Sequence, residues 1–176
     1  MEARDRVALR LLLDYGLRKG ALRSVQIGHF DRQRCRLTIF TKGRKVRELP
    51  IPHAVFWTDL DCYVLESGAQ PDHYLMARCT GRYRKIEPTK PSGPNGLHSW
   101  WYRRLVAAGI VPSGTTRGER MHKARHTAGQ CLLDATGNLK AVQQLLGHSS
   151  IQTTGDIYTD WDIDQLAATM AGISVS

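Results

Sequence analysis

Apolar residues recur along the chain in two different rhythms, and each rhythm predicts a different kind of element. Near the start, Val7 and the run Leu11–Leu13 lie among charged residues and are followed by Gly16, which predicts a mostly buried first helix. Over residues 34–49 apolar and polar residues alternate on both sides of a glycine-containing turn. This is the pattern of a two-stranded antiparallel hairpin, which we expect to end at Pro50.

Helical spacing dominates the rest of the chain. Further helices are predicted over residues 54–65, 99–108, 122–136, 139–146 and 152–158. Gly137 and Gly147 are placed to end two of them, and Asn138 is placed to cap one. Residues 81–96 hold three prolines and three glycines and predict a long loop, and residues 112–120 predict a second. The pattern indicates a mainly helical α+β domain with one small antiparallel sheet.

The C-terminal residues form a separate feature in both pattern and charge. An apolar stripe at helical spacing predicts a tail helix within residues 160–176, and its members are Ile163, Leu166, Ala167 and Met170. Residues 134–176 hold one lysine and five aspartates, whereas residues 1–133 hold 24 basic and 11 acidic side chains. A basic body is therefore followed by an acidic tail. The stripe is open to two interpretations, packing on its own domain or docking on a neighbouring subunit.

The composition narrows the class of protein. Hydrophobic residues make up 41% and charged residues 23% of the 176, an ordinary globular mixture. No apolar run approaches the ~20 residues of a membrane span, and the charged first residues are unlike a signal peptide, so we expect a cytoplasmic protein. Four cysteines without metal-ligand spacing are interpreted as reduced, buried thiols.

The net charge points to a polyanionic partner. The formal charge is +9, and residues 32–47 hold seven basic side chains and no acidic one. The turn of the predicted hairpin would project Lys42 towards a phosphate backbone. A solvated, charged sheet edge is the alternative interpretation, because basic residues commonly protect such edges.

A second candidate site lies in the helix predicted over residues 122–136. His122, Arg125 and His126 are one helical turn apart, so the three side chains can face one ligand. His122 and His126 also have the spacing of zinc ligands, but Lys123 stands where a zinc protease needs glutamate. An ordinary amphipathic helix with a basic face and a metal-dependent nuclease both remain open as interpretations.

These residues, in this order, resemble the catalytic domain of the tyrosine recombinases, the phage integrase family. The strongest motifs are His122-Lys123-Ala124-Arg125-His126-Thr127, then Leu145-Leu146-Gly147-His148-Ser149-Ser150, then Ile157-Tyr158-Thr159. Tyr15-Gly16-Leu17-Arg18 is similar to the family's first arginine motif, and Thr41-Lys42-Gly43-Arg44-Lys45 is similar to its hairpin lysine motif. The resemblance covers nearly the whole chain, so residues 1–176 are interpreted as one catalytic domain.

The resemblance implies a function and a role for each motif residue. The expected reaction is site-specific DNA strand transfer through a covalent 3′-phosphotyrosine, with Tyr158 as the nucleophile and with no metal, ATP or other cofactor. Arg18, Arg125 and His148 would bind the phosphate, His122 would act as the base and Lys42 as the acid. Other basic residues are expected to contact the DNA backbone, namely Arg44, Lys45, Arg47 and Lys123.

The resemblance also implies partners and shows one departure. The expected partner is a double-stranded recombination site, bound by a homotetramer of the full-length protein. No segment here corresponds to the family's N-terminal core-binding domain, so the chain is interpreted as a fragment that is monomeric in solution. Ala21 stands where the family usually carries an acid that supports the arginines. A DNA-binding module with weak or vestigial strand transfer is therefore kept as an alternative.

Overall fold

The computed structural model describes residues 2–40, 46–80, 85–112 and 121–147. The helices are α1 (Ala3–Leu13), α2 (Lys19–Ser24), α3 (Ala54–Ser67), α4 (Pro94–Ala107), α5 (Met121–Thr136) and α6 (Leu139–Leu146). The strands are β1 (Phe30–Asp31), β2 (Arg36–Phe40), β3 (Val46–Pro50), β4 (Ala77–Thr80) and β5 (Lys85–Pro91). The residues fall into two units, 1–128 and 129–176, and the boundary lies within α5.

The predicted hairpin is confirmed as β2 and β3. The two strands pair antiparallel, with Leu37 opposite Leu49 and Ile39 opposite Arg47. The apolar members of these pairs are buried, so one face of the sheet covers the core while the other carries charge. The sheet has a third strand, β1, which pairs with β2 and is too short for its two residues to show any alternation in sequence.

Helices α1 and α3 supply much of the core of the first unit. Leu11 and Leu12 from α1 and Phe56 from α3 are fully buried. Between the two helices Asp59 is 7% exposed and accepts hydrogen bonds from Arg6 (Nε, 2.6 Å) and Arg10 (Nε, 3.1 Å). Helix α3 is two residues longer than predicted, because the chain turns only at Gly68, whose φ is +64°.

The prediction of a long loop over residues 81–96 is wrong for the part that the structure describes, residues 85–96. Strand β5 lies there and pairs antiparallel with the preceding β4 in a second small sheet, with a bulge between Ala77 and Arg78, and α4 already begins at Pro94. Proline is tolerated in this sheet because its two strands are both edges, and Pro94 occupies the first turn of a helix, where its missing N–H is not needed. The prolines that led us to predict a loop therefore lie within strand β5 and at the start of helix α4.

A buried carboxylate joins the first and fourth helices. Asp5 on α1 is 2% exposed and accepts hydrogen bonds from Trp100 Nε1 at 2.8 Å and Arg104 Nη1 at 2.7 Å, both on α4. Arg4 donates to the same carboxylate at 3.0 Å. The charge is thus buried with three donors around it, which fixes α1 against α4.

Helices α5 and α6 lie where the sequence predicts them. Asn138 caps α6 by accepting a hydrogen bond from the N–H of Ala141 at 3.0 Å, and Gly147 ends that helix with a φ of +63°. Within the second unit, Val142 and Leu146 form a small buried cluster with partly buried leucines at 132, 133, 139 and 145. The helix predicted over residues 152–158, the loop residues 113–120 and the tail helix lie outside the described residues.

Two expectations from composition can be compared with the structure. The four cysteines are free thiols, but the expectation that they are buried is wrong, because Cys35, Cys79 and Cys131 are exposed and Cys62 is half-buried. Within the described ranges, no helix combines the length and the apolar character that crossing a bilayer requires.

Candidate active site

The turn between α1 and α2 carries Arg18. Gly16 has a φ of +61°, a conformation that favours glycine, and it reverses the chain after α1. Leu17 is 4% exposed and its N–H donates to the carbonyl oxygen of Leu11 at 2.9 Å, so this residue anchors the turn to the core. Arg18 then forms the N-cap of α2 with an extended backbone, and its side chain is exposed. The turn presents one arginine outward from a fixed backbone.

Arg125 on α5 supports this turn directly. Its side chain is buried, 4% exposed, and its Nη1 donates to the carbonyl oxygen of Gly16 at 2.7 Å. Ala124 and Ala128 are buried beside it, so this face of α5 points into the first unit. The hydrogen bond joins residues 109 positions apart. Arg125 therefore holds the backbone two residues before Arg18.

His122 lies one turn before Arg125 on the same helix. Although its side chain is largely exposed, partial burial of the ring lowers the pKa of His122, and the positive charges of His126, Arg125 and Arg18 act in the same direction. A lowered pKa keeps the imidazole neutral near neutral pH, which is the form that can accept a proton. The described residues thus contain a candidate base beside two arginines.

Arg47 approaches the same place from the sheet. It shares a face of β3 with buried Leu49, because alternate residues of a strand point to the same side. Burial lowers the pKa of Arg47, and the nearby charge of Arg18 lowers it further. The sequence predicts Arg47 as a contact to the DNA backbone, and the structure brings it within electrostatic reach of Arg18.

The structure brings together four predicted residues: Arg18, Arg47, His122 and Arg125. Lys123 is exposed on α5. The other five predicted residues lie outside the described residues, and they are Lys42, Arg44, Lys45, His148 and Tyr158.

Ala21, at the position where the resemblance implies an acid, is half-buried within α2. It lies three residues after Arg18, the N-cap residue whose carbonyl accepts a hydrogen bond from the N–H of Leu22 at 2.9 Å. The helical turn that would carry the acid is therefore present, but the side chain at position 21 is only a methyl group.

Two supporting features were not recognised in the sequence. Tyr15 is 5% exposed, and its hydroxyl lies 2.8 Å from Nδ1 of His53, a hydrogen bond that ties the end of α1 to the start of α3. Burial, aided by the charge of Asp14, raises the pKa of Tyr15 to about 12, so this phenol stays protonated. The second feature is the Gly16 carbonyl, which accepts the hydrogen bond from Arg125. The position of this glycine just after a predicted helix is the only indication of it in the sequence.

His122 and His126 are close enough to contact each other. Their ring centroids are 4.4 Å apart and the rings are perpendicular. Among residues with a described placement, no group of three or more histidine, cysteine, aspartate or glutamate side chains is arranged to hold a metal ion.

Comparison with known proteins gives a consistent result. The model of the "Phage integrase family" matches residues 1–164. The chain is 29% identical to tyrosine recombinase XerC of Actinobacillus succinogenes over 167 residues, and 31% identical to tyrosine recombinase XerC of Escherichia coli over 171 residues. These matches cover 94% and 96% of this chain but 52% of each relative, so the chain spans about half the length of the curated relatives it matches.

Solved structures confirm the predicted α+β fold class. XerA recombinase matches with a TM-score of 0.71 and 23% identity, over 98% of this chain and 57% of that chain. XerH site-specific recombinase bound to its difH substrate matches with a TM-score of 0.69 and 21% identity, over 97% of this chain and 47% of that chain.

Proposed function

The chain belongs to the phage integrase family, and from that premise we propose that residues 1–176 form the catalytic domain of a tyrosine-type, site-specific DNA recombinase. The proposed activity is cleavage and rejoining of DNA strands through a covalent 3′-phosphotyrosine. The observation that carries the proposal is the hydrogen bond from buried Arg125 to the Gly16 carbonyl, because it joins the turn that carries Arg18 to the helix that carries His122.

A cluster of positive charge at a fixed turn suits a phosphodiester. Attack on phosphorus gathers negative charge on the non-bridging oxygens, and guanidinium groups stabilise that charge with paired hydrogen bonds. Arg18 is exposed and reachable by DNA, while Arg125 and Arg47 surround it with further positive charge. In this proposal Arg18 and Arg125 bind the scissile phosphate, with His148 as a third donor.

Proton transfers complete the proposed reaction. The hydroxyl of Tyr158 gives its proton to His122 as its oxygen forms a bond to phosphorus, and the bond from phosphorus to the 5′ oxygen breaks. The departing 5′ oxygen takes a proton from Lys42 and becomes a free hydroxyl. One phosphate ester replaces another, so no external energy source is consumed. The lowered pKa of His122 supports its role as base.

The proposed partner is a double-stranded recombination site. Arg44, Lys45 and Lys123 are proposed to contact the phosphate backbone, which positions the domain without reading sequence. We propose a homotetramer on DNA, in which the apolar stripe predicted within residues 160–176 packs either on its own domain or on a neighbouring subunit. One structural neighbour, XerH, is bound to its difH substrate, which is consistent with a DNA partner for this chain.

A second candidate function is DNA binding with weak or vestigial strand transfer. Ala21 favours it, because a methyl group in α2 cannot orient the neighbouring arginines as a carboxylate would. This candidate predicts the same DNA affinity but little covalent product. The two candidates are therefore separated by chemistry and not by binding.

The test is recovery of a covalent adduct. The chain is incubated, in excess EDTA, with nicked suicide duplexes whose central sequence is randomised, and DNA that stays attached after denaturation is recovered and sequenced. We expect an adduct with the chain and none with Tyr158→Phe. Tyr102→Phe is the matched control, because it removes an exposed hydroxyl that donates to the Pro112 carbonyl, and it should form the adduct normally.

Three outcomes of this experiment argue against the proposal. An adduct with Tyr158→Phe would exclude the proposed nucleophile. DNA binding without any adduct would favour the second candidate, and strand cleavage without an adduct, seen only when EDTA is left out, would favour a metal-dependent nuclease.

A further inference from the structure

His126 has no role in the proposed reaction, yet it contacts the candidate base. The two imidazoles project from α5 one turn apart, with centroids 4.4 Å apart and planes at 90°. In this edge-to-face arrangement the edge of one ring lies against the face of the other. We propose that His126 is a positioning residue for His122, and that its ring holds the imidazole of the candidate base in place.

Electrostatics favours the neutral form of the positioned ring. Among the described residues, the charged or titratable groups that face His122 are His126 and Arg125 on its own helix and Arg18 from the start of α2. All three act against a positive charge on His122, and together with partial burial they lower its pKa.

Geometry supports the positioning. His126 is half-buried, whereas His122 is exposed. An exposed histidine on a helix has several accessible rotamers, and a ring packed against it from the next turn restricts that choice. A base must lie within hydrogen-bond reach of the proton that it takes, so restricting the ring of His122 helps only if the ring is also unprotonated. His126 supplies both conditions through a single contact.

The catalytic consequence of this positioning rests on the proposed function, because it assumes that His122 takes the proton of Tyr158. The contact between the rings does not, because it belongs to the free protein. Two variants separate the ring from its charge: His126→Phe keeps a ring that carries no charge, and His126→Asn removes the ring. His98→Asn on α4 is the control, since it removes an exposed histidine from another helix.

The first measurement is an NMR titration of the His122 Cε1–H signal in the free chain. We expect the lowered pKa of His122 in the chain and in His98→Asn, because partial burial and the neighbouring positive charges are the same in both. His126→Asn should raise the pKa of His122, because it removes both the charge of His126 and the ring that packs against His122. A His122 titration that is identical in the chain and in His126→Asn would overturn the contact between the rings.

The second measurement is the rate of adduct formation between pH 5.5 and 8.5, on a duplex recovered in the adduct experiment. At alkaline pH, where His122 is neutral in every variant, His126→Phe should keep the rate while His126→Asn loses about tenfold through misplacement of the base. A wild-type rate for His126→Asn across the whole range would overturn the positioning. If the pKa of His122 rises in His126→Asn but the chain itself forms no adduct, the proposed function fails and the contact between the rings stands.

Discussion

Replacing Arg125 with lysine tests the contact on which the candidate site depends. The guanidinium is 4% exposed and its Nη1 donates to the Gly16 carbonyl at 2.7 Å. Lysine keeps the positive charge but has a single ammonium group in place of a planar fork, so it cannot hold the carbonyl and also offer a second arm to a phosphate. Arg125→Lys therefore separates charge from geometry.

The expected loss of stability follows from the burial of this bond. A hydrogen bond from a charged donor contributes about 1.5–3 kcal/mol, and a buried carbonyl left without its donor costs a similar amount. Because lysine recovers part of the interaction, we expect Arg125→Lys to lower the free energy of unfolding by about 2 kcal/mol. The turn before Arg18 then loses its support, and adduct formation should fall by about 100-fold.

Urea denaturation measures the first effect and the suicide-duplex experiment measures the second. The slope of unfolding free energy against urea should be unchanged, because the variant buries nearly the same surface. Arg103→Lys on α4 is the control, since that side chain is exposed and should tolerate the change. If Arg125→Lys changed stability by less than ~0.5 kcal/mol, within the range of ordinary surface substitutions, the supporting role of the hydrogen bond would be refuted.

Three further changes test the framework around the site. Asp5→Leu should lower the unfolding free energy by about 3 kcal/mol in urea denaturation, because it leaves the indole N–H of Trp100 buried without an acceptor, and Asp5→Asn should cost less because its amide oxygen still accepts. Burial would raise the pKa of Asp59, but hydrogen bonds from Arg6 and Arg10 lower this pKa overall. The ionised Asp59 therefore stabilises the fold fully above the ordinary carboxyl pKa of about 4, and this stabilisation is lost as the pH falls through the lower pKa of the folded state. Asp59→Asn has no such carboxyl group, so its unfolding free energy should fall less between pH 4 and pH 2 than that of the chain. Gly16→Ala should cost about 1–2 kcal/mol and slow adduct formation, because an L side chain is strained at a φ of +61°; unchanged thermal stability would contradict this.

The sequence predicted elements whose signals are local. Helix α6 begins after a capping asparagine and ends at a glycine, and both boundaries agree with the structure. The hairpin of β2 and β3 was predicted from alternation, since one face of each strand is buried. The family resemblance predicted that Arg18, His122 and Arg125 belong to one site, and these three residues lie close together in the structure.

Features set by distant contacts were not predictable in this way. Strands β4 and β5 contain Pro88 and Pro91, which composition assigns to loops, and only pairing across the two edges makes them strands. The proximity of Arg47 to Arg18 depends on how β3 packs, and no spacing in the sequence encodes it. The burial of Arg125 was equally hidden, since arginine is usually an exposed residue.

The hydrogen bond between Arg125 and Gly16 also orders events during synthesis. Its two residues are 109 positions apart, so Arg18 leaves the ribosome long before the helix that supports its backbone. Every chain cut short by an early stop codon or by proteolysis ahead of α5 has the outward arginine without its support. A polypeptide that ends ahead of α5 therefore cannot assemble the proposed phosphate site, and the proposed strand cleavage requires translation to pass Tyr158 as well.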